Sequence, residues 1–389
     1  MSQALSTDIL IVGGGVAGLW LNARLRQLGY CSLLVERGAL GGGQSVKSQG
    51  IIHGGTKYAL SGALTGSSEA IAGMPQRWRE ALAGSGELDL SGVRLLSDAH
   101  YLWSPGTLAG NLTGFFASKA MRGRVDAVKG EALPPALQDR HFRGRVYRLA
   151  ELVLDVPSLI ARLAALCGDG LLAGERIEPL YDGGELAGLS VDGRAIRARR
   201  VVLCAGAGNA GLLAALGVGQ AQQLRPLHMV LVKAATLRPL YAHCLGAGSK
   251  PRLTVTTHPA ADGQWVWYLG GDLAEAGGVA RDEQAQIRAA QQELGELLPW
   301  IDLSGAQWRT LRIERAEPAQ SGLVRPDNAF LAAQGNLLIG WPTKLALAPD
   351  LADRVLASLA RDGIQPGDCP ALPPLPRPSV SPAPWDSLF

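Results

Sequence analysis

The stretch TDILIVGGGVAGLWLNARLRQLGYCSLLVERG, Thr7 to Gly38, restricts the fold more than any other part of the chain. Ile9 to Val12 are apolar and rich in β-branched residues, the pattern of a buried parallel strand. Gly13, Gly15 and Gly18 follow in G-x-G-x-x-G spacing. The first glycine allows a tight turn, the second lets backbone approach a pyrophosphate, and the third lets helix and strand pack closely. Val16 to Leu28 reads as a helix whose N-terminal N–H groups and positive dipole end would face that pyrophosphate. Ser32 to Val35 reads as the next strand, with Glu36 at its end. An acid about twenty residues past the glycines is placed to accept hydrogen bonds from a ribose diol. The unit therefore predicts a dinucleotide site, and these residues alone leave NAD and FAD both open.

Composition sets outer limits. The chain has 389 residues, 47% of them hydrophobic, enough for a large core and two domains. The net charge is +3, and no basic run carries interleaved aromatics, which argues against nucleic-acid partners. The five cysteines are scattered with no C-x-x-C pair, so the expectation is buried thiols in a reducing compartment and no disulfide framework or metal knuckle. No basic segment precedes the first apolar run, so no signal peptide is read there. No residue between Arg200 and Arg225 is charged, yet its glycines, Asn209 and its glutamines read as buried strand, turn and helix, not as a transmembrane segment.

After Glu36 and Arg37 comes GALGGGQS, a glycine loop beyond a strand end, where open α/β sheets bind ligands. Gln44 and Ser45 on it are cofactor-contact candidates. Next, IIHGGTKYALSG sets Gly54 and Gly55 between His53 and the pair Lys57 and Tyr58. Paired glycines let a flat ring lie close to backbone. This pattern resembles the D-amino-acid-oxidase-like superfamily of FAD oxidoreductases. The His-Gly-Gly segment is similar to that of its glycerol-3-phosphate and 2-hydroxyglutarate dehydrogenases, where Arg-Tyr often stands at the place of Lys57-Tyr58. The resemblance, not the glycine fingerprint, favours FAD. It implies that this segment lies against the isoalloxazine ring.

The resemblance also implies a fold: α/β, a Rossmann-like FAD-binding domain with an inserted mixed α+β substrate domain. The expected division assigns 1–92, 150–218 and 323–365 to the FAD-binding domain. Residues 93–149 and 219–322 form the substrate domain, and 366–389 a Pro-rich tail, either disordered or docked through Trp385 and Phe389. A second FAD contact is expected at Ala205 and Gly206, and a third at Gly340, Pro342, Thr343 and Lys344, where N–H groups and a cation would stabilise negative charge on the reduced ring. Relatives carry an Arg on a nearby strand to clamp the substrate's anion. Arg315 fits best, with Arg312 taken to share its face, Arg325 as a rival, and a salt bridge to Glu314 or Glu317 as the alternative role.

The expected function is oxidation of a small polar substrate, a 2-hydroxy acid or polyol phosphate, by hydride transfer to flavin N5. His53 or His228 would take the hydroxyl proton, since a neutral imidazole is available near pH 7. Lys57 and Arg315 would hold the anion, and Tyr58 beside Lys57 is a further catalytic candidate. His243 and His258 are read as structural. An amino-acid or amine oxidase of the same superfamily is the first alternative. A non-catalytic flavoprotein or partner-binding module is the second. The electron acceptor is left open among oxygen, a quinone and a carrier protein. The expected location is the cytoplasm, with the inner-membrane surface as the other option.

Overall fold

A computed structural model describes residues 4–55, 68–105, 125–246, 250–319 and 328–389. The glycine stretch folds as strand Leu5–Val12, helix Val16–Gln27 and strand Ser32–Glu36. The glycines are there for steric reasons. Gly13 has φ +112°, and a Cβ on it would lie 2.6 Å from the Ala205 Cα. A Cβ on Gly18 would lie 2.0 Å from the Gly13 carbonyl oxygen, so the third glycine sets how closely helix and strand meet.

These elements build an eight-stranded sheet. Its parallel part runs Leu171–Ala173, Ser32–Glu36, Leu5–Val12, Arg194–Leu203 and Leu337–Trp341. A meander of Ile177–Asp182 and Glu185–Val191 joins Arg194–Leu203 antiparallel. Helices Val16–Gln27, Val156–Leu166 and Ala348–Arg361 cover one face, burying Leu19, Leu163 and Val355 completely. Pro349 sits in the first turn of the last of these, which starts late, after a short 3₁₀ turn at Leu345–Leu347.

The second sheet is mixed. Its order is Gln307–Pro318, Gln222–Lys233, Trp265–Gly270, Pro251–Pro259, Ala242–Leu245, His100–Ser104, Arg145–Leu149 and Val125–Val128. Only Ala242–Leu245 and His100–Ser104 pair in parallel. Strand alternation separates two faces. Val230, Val232 and Trp267 pack on Ala290 and Leu294 of helix Glu283–Leu297. Met229, Leu231 and Tyr268 face the other way.

A small third sheet joins the two. Ile51 pairs with Val153 and Ile52 with Leu152, antiparallel. That register brings the next residue of one strand, His53, opposite the residue before the other, Glu151.

Two expectations about the ends change. Cys31 and Cys369 form a disulfide, with Cα atoms 5.1 Å apart, so the expectation of thiols alone is corrected. The pair was hidden by 338 residues of separation. Cys167, Cys204 and Cys244 are the buried free thiols, each pushed up to about 12 by desolvation. The Pro-rich tail is docked. The Ala173 N–H donates to the Pro376 carbonyl (2.7 Å), and Leu40 bonds both Ser379 (2.7 Å) and Ser381 (3.0 Å) through its backbone. Trp385, 2% exposed, stacks on His258 with ring centroids 4.0 Å apart. Among the described residues, no helix is long and apolar enough to cross a membrane.

Candidate functional site

The carboxyl ends of the parallel strands open into one cavity of about 1150 Å³, whose far wall is the second sheet. This is where an open α/β sheet binds ligands, and it exceeds the usual size of a small-ligand pocket. Gly13 and Gly15, Glu36 and Arg37, and Gln44 and Ser45 line it from the first strands and the glycine loop. Ala205 and Gly206 line it from the turn after Leu203, and Pro342, Thr343 and Lys344 from the loop after Trp341. Leu227, Met229, Ile313 and Arg315 come from the second sheet, and His53 from the third.

The residues suit an adenine dinucleotide. Helix Val16–Gln27 starts at Gly15, which has no side chain to cap it, and carries no acid in its first turn, which favours an anion at that end. A Cβ on Gly15 would lie 3.2 Å from Ser45 Oγ and occupy that approach. Ser45 Oγ accepts from the Val16 N–H (3.0 Å). Glu36 organises its own loop, accepting from the Gly14 N–H (2.6 Å) and the Gly38 N–H (2.7 Å). A carboxylate has about four acceptor positions, so it retains capacity for a ribose diol.

The loop also ties the sheets together. Gln44 Oε1 accepts from the Ala316 N–H (3.1 Å), Gln49 Nε2 donates to the Tyr268 carbonyl (2.9 Å), and Tyr268 OH donates to the Lys47 carbonyl (2.9 Å). Thr343 adopts φ +60°, and Lys344 is 7% exposed, so a cation stands at low dielectric on the cavity wall.

Several expected residues lie elsewhere. His228, the favoured second base, is 1% exposed and on the opposite face of its strand from Leu227 and Met229, with Nδ1 3.0 Å from the Gly278 carbonyl. Its ring belongs to the packing under helix Glu283–Leu297, because it has the other parity along the strand. A Cβ on Gly340 would lie 3.0 Å from Leu351 Cδ1, so this glycine serves packing against the last helix, and it does not line the cavity. Gly18 serves helix packing, and Gly54 and Gly55 lie behind His53, outside the lining. Arg312, taken to share the face of Arg315, is three positions away and so on the other face, although it too lines the cavity. It donates to the carbonyls of Val279 (3.0 Å) and Arg281 (2.7 Å). Arg315 faces Glu275 (3.4 Å) rather than Glu314 or Glu317; Glu317 pairs with Arg225. Lys57, Tyr58 and Arg325 lie outside the described residues.

The third sheet adds groups that no local pattern announced. His53 Nδ1 is 3.2 Å from Glu151 Oε2, and the Gly54 N–H donates to Glu151 Oε1 (2.9 Å). Burial pushes the Glu151 carboxyl up. The hydrogen bond and charge of His53, the charge of His100 and the Gly54 N–H outweigh this and hold it below the usual carboxylate range. His243, read as structural, has its ring nearly parallel to that of His53, with centroids 5.9 Å apart. The His100 ring is 4.3 Å from that of His243. The only sequence cue to Glu151 is an acid heading the apolar strand Leu152–Leu154.

Comparisons with known proteins agree with this geometry. The family model described as FAD dependent oxidoreductase matches residues 8–347. The chain is 72% identical over 390 residues to the probable FAD-dependent oxidoreductase PA4991 of Pseudomonas aeruginosa, with all of both chains covered. The crystal structure of that protein superposes with TM-score 0.90 at 66% identity, over 100% of this chain and 99% of that one. Iminodiacetate oxidase from Chelativorans shares the fold at 19% identity and TM-score 0.66, over 96% of this chain and 100% of the other. Glycine oxidase from Geobacillus kaustophilus does so at 19% and 0.65, over 95% and 100%. With the dinucleotide cradle, the two-sheet cavity and these matches together, the chain belongs to the FAD-dependent oxidoreductase family.

Proposed function

We propose that this FAD-dependent oxidoreductase oxidises a hydroxyl-bearing anion, of the 2-hydroxy acid or polyol phosphate type. The observation that carries the reading is His53 on the cavity wall, backed by the buried Glu151. An alcohol must lose its hydroxyl proton as its carbon gives up hydride, so it needs a base at the site. Glu151, ionised and buried, accepts the Nδ1–H of His53 and leaves Nε2 as the basic nitrogen. The imidazolium that forms is then stabilised by the same carboxylate. Lys344 and Arg315 supply positive charge on the same cavity for the substrate's anionic group, and the resemblance adds Lys57 and Tyr58. Bound FAD supplies the hydride acceptor.

An amine is the second reading. Two fold neighbours are named for it, an iminodiacetate oxidase and a glycine oxidase, and a neutral amine releases hydride without a dedicated base. An anaerobic screen of hydroxy acids, polyol phosphates and amino acids for loss of oxidised flavin absorbance decides between them. With a hydroxy substrate, His53→Ala should slow flavin reduction by about 10²- to 10⁴-fold, the usual contribution of a general base. Bleaching by amino acids alone, or reduction at normal speed in His53→Ala, refutes the hydroxyl reading.

A further inference from the structure

We propose that His53, Glu151 and His243 form a site for one divalent cation of the zinc class, and that a bound cation disables the proton acceptor. The binding claim rests on geometry alone, and only its effect on turnover rests on His53 being the base. Each residue offers one ligand atom, and the three atoms lie within 4.8 Å of one another. Two imidazoles and a carboxylate are a zinc donor set, with a fourth position left for water or another ligand.

The spacing suits this ion. Adjacent ligands of a tetrahedral centre with bonds of about 2.0–2.1 Å stand about 3.3 Å apart. His53 Nδ1 and Glu151 Oε2 are already 3.2 Å apart. The remaining ligand has to close by at most about 1.5 Å, less than half of that tetrahedral edge.

The outer partners are also those a metal site uses. Thr254 Oγ1, 2.8 Å from His243 Nδ1, fixes that ring and leaves Nε2 as the ligand nitrogen. The Gly54 N–H on Oε1 leaves Glu151 Oε2 for the ion. Glu151 is 2% exposed, so its charge attracts a cation through little solvent. His53 lines the cavity, so an ion can reach the three residues from that side. A cation on His53 Nδ1 keeps the proton on Nε2, and that nitrogen can no longer accept one from substrate.

Equilibrium dialysis of the FAD-loaded protein against zinc chloride at neutral pH, read by elemental analysis, tests the binding. The expected uptake is one zinc per chain. His243→Ala and Glu151→Gln should each weaken it by well over tenfold. Thr254→Val, which removes only an outer partner and keeps the ligands, should weaken it about 10- to 100-fold. Cobalt in place of zinc should give the absorption bands of a four-coordinate ion at wavelengths beyond those of the flavin. No saturable uptake, or uptake unchanged in His243→Ala and Thr254→Val, overturns the site. Uptake that leaves flavin reduction by a hydroxy substrate unaffected overturns the coupling to the base. Failure of dialysis leaves the base itself standing, since His53→Ala is read without metal.

Discussion

Acid should destabilise this fold through His258. The ring is fully buried, with Nε2 2.9 Å from Thr256 Oγ1 and Trp385 stacked 4.0 Å away at 25°. Tyr268 meets it edge-on at 6.2 Å, and Nδ1 has no partner among the described residues. Desolvation pushes its pKa down to about 3 from the ordinary 6.5. The unfolded chain therefore binds a proton at a pH where the folded chain does not. The stability contributed by the neutral ring is complete above pH 6.5 and is lost as pH falls toward 3. The linkage slope is about 1.4 kcal/mol per pH unit, which gives a loss of about 2 kcal/mol at pH 5 and about 3 kcal/mol at pH 4. Urea unfolding at pH 7, 5 and 4, compared between the wild type and His258→Gln, isolates this term from the other groups that titrate. The variant starts lower at pH 7 and should lose less on acidification by about those amounts. Equal losses in the two proteins would refute the argument.

Glu151→Gln keeps an acceptor for the Gly54 N–H but removes the charge beside His53. At about 1.5–3 kcal/mol for a charge-assisted hydrogen bond, flavin reduction by a hydroxy substrate should slow about 10- to 150-fold in stopped-flow traces. Gly18→Ala would set a methyl 2.0 Å from the Gly13 carbonyl oxygen, so the purified variant should be colourless and take up FAD at least about a hundredfold more weakly by titration. Trp385→Ala should release the tail at a local cost of about 3–5 kcal/mol, and the Leu40 amide, held by Ser379, should exchange its hydrogen about a hundredfold faster or more. Reducing the Cys31–Cys369 disulfide should cost about 2–5 kcal/mol in denaturant unfolding, with peptide mapping under non-reducing conditions to verify the pairing.

What the sequence disclosed was local. Gly13, Gly15, Gly18 and Glu36 lie within one βαβ unit, so spacing alone located the cradle, and a resemblance supplied the identity of the cofactor. The loop at Gln44 was expected from the rule that ligands sit at the carboxyl ends of parallel strands, and those at Ala205 and Thr343 from the resemblance. The wall that carries His53 was less legible because it depends on register and parity. His53 and Glu151 are 98 residues apart and meet only because Ile52 pairs with Leu152. His228 and Leu227 are neighbours, yet strand alternation turns one into the helix layer and the other into the cavity. No pattern in the chain fixes which face of the second sheet looks inward. The same holds for Cys31 and Cys369, which no motif joins.

The docked tail has a further consequence. Residues from Pro376 to Leu388 run from the edge of the first sheet at Ala173, past the glycine loop at Leu40, to His258, Ala261 and Arg309 on the second. The two sheets are thus lashed together from outside as well as joined through the cavity, and swinging them apart requires peeling that lash first. Exchange of bound flavin with flavin in solution should accordingly be slow and rate-limited by release of the tail, rather than by the contacts of the ring itself.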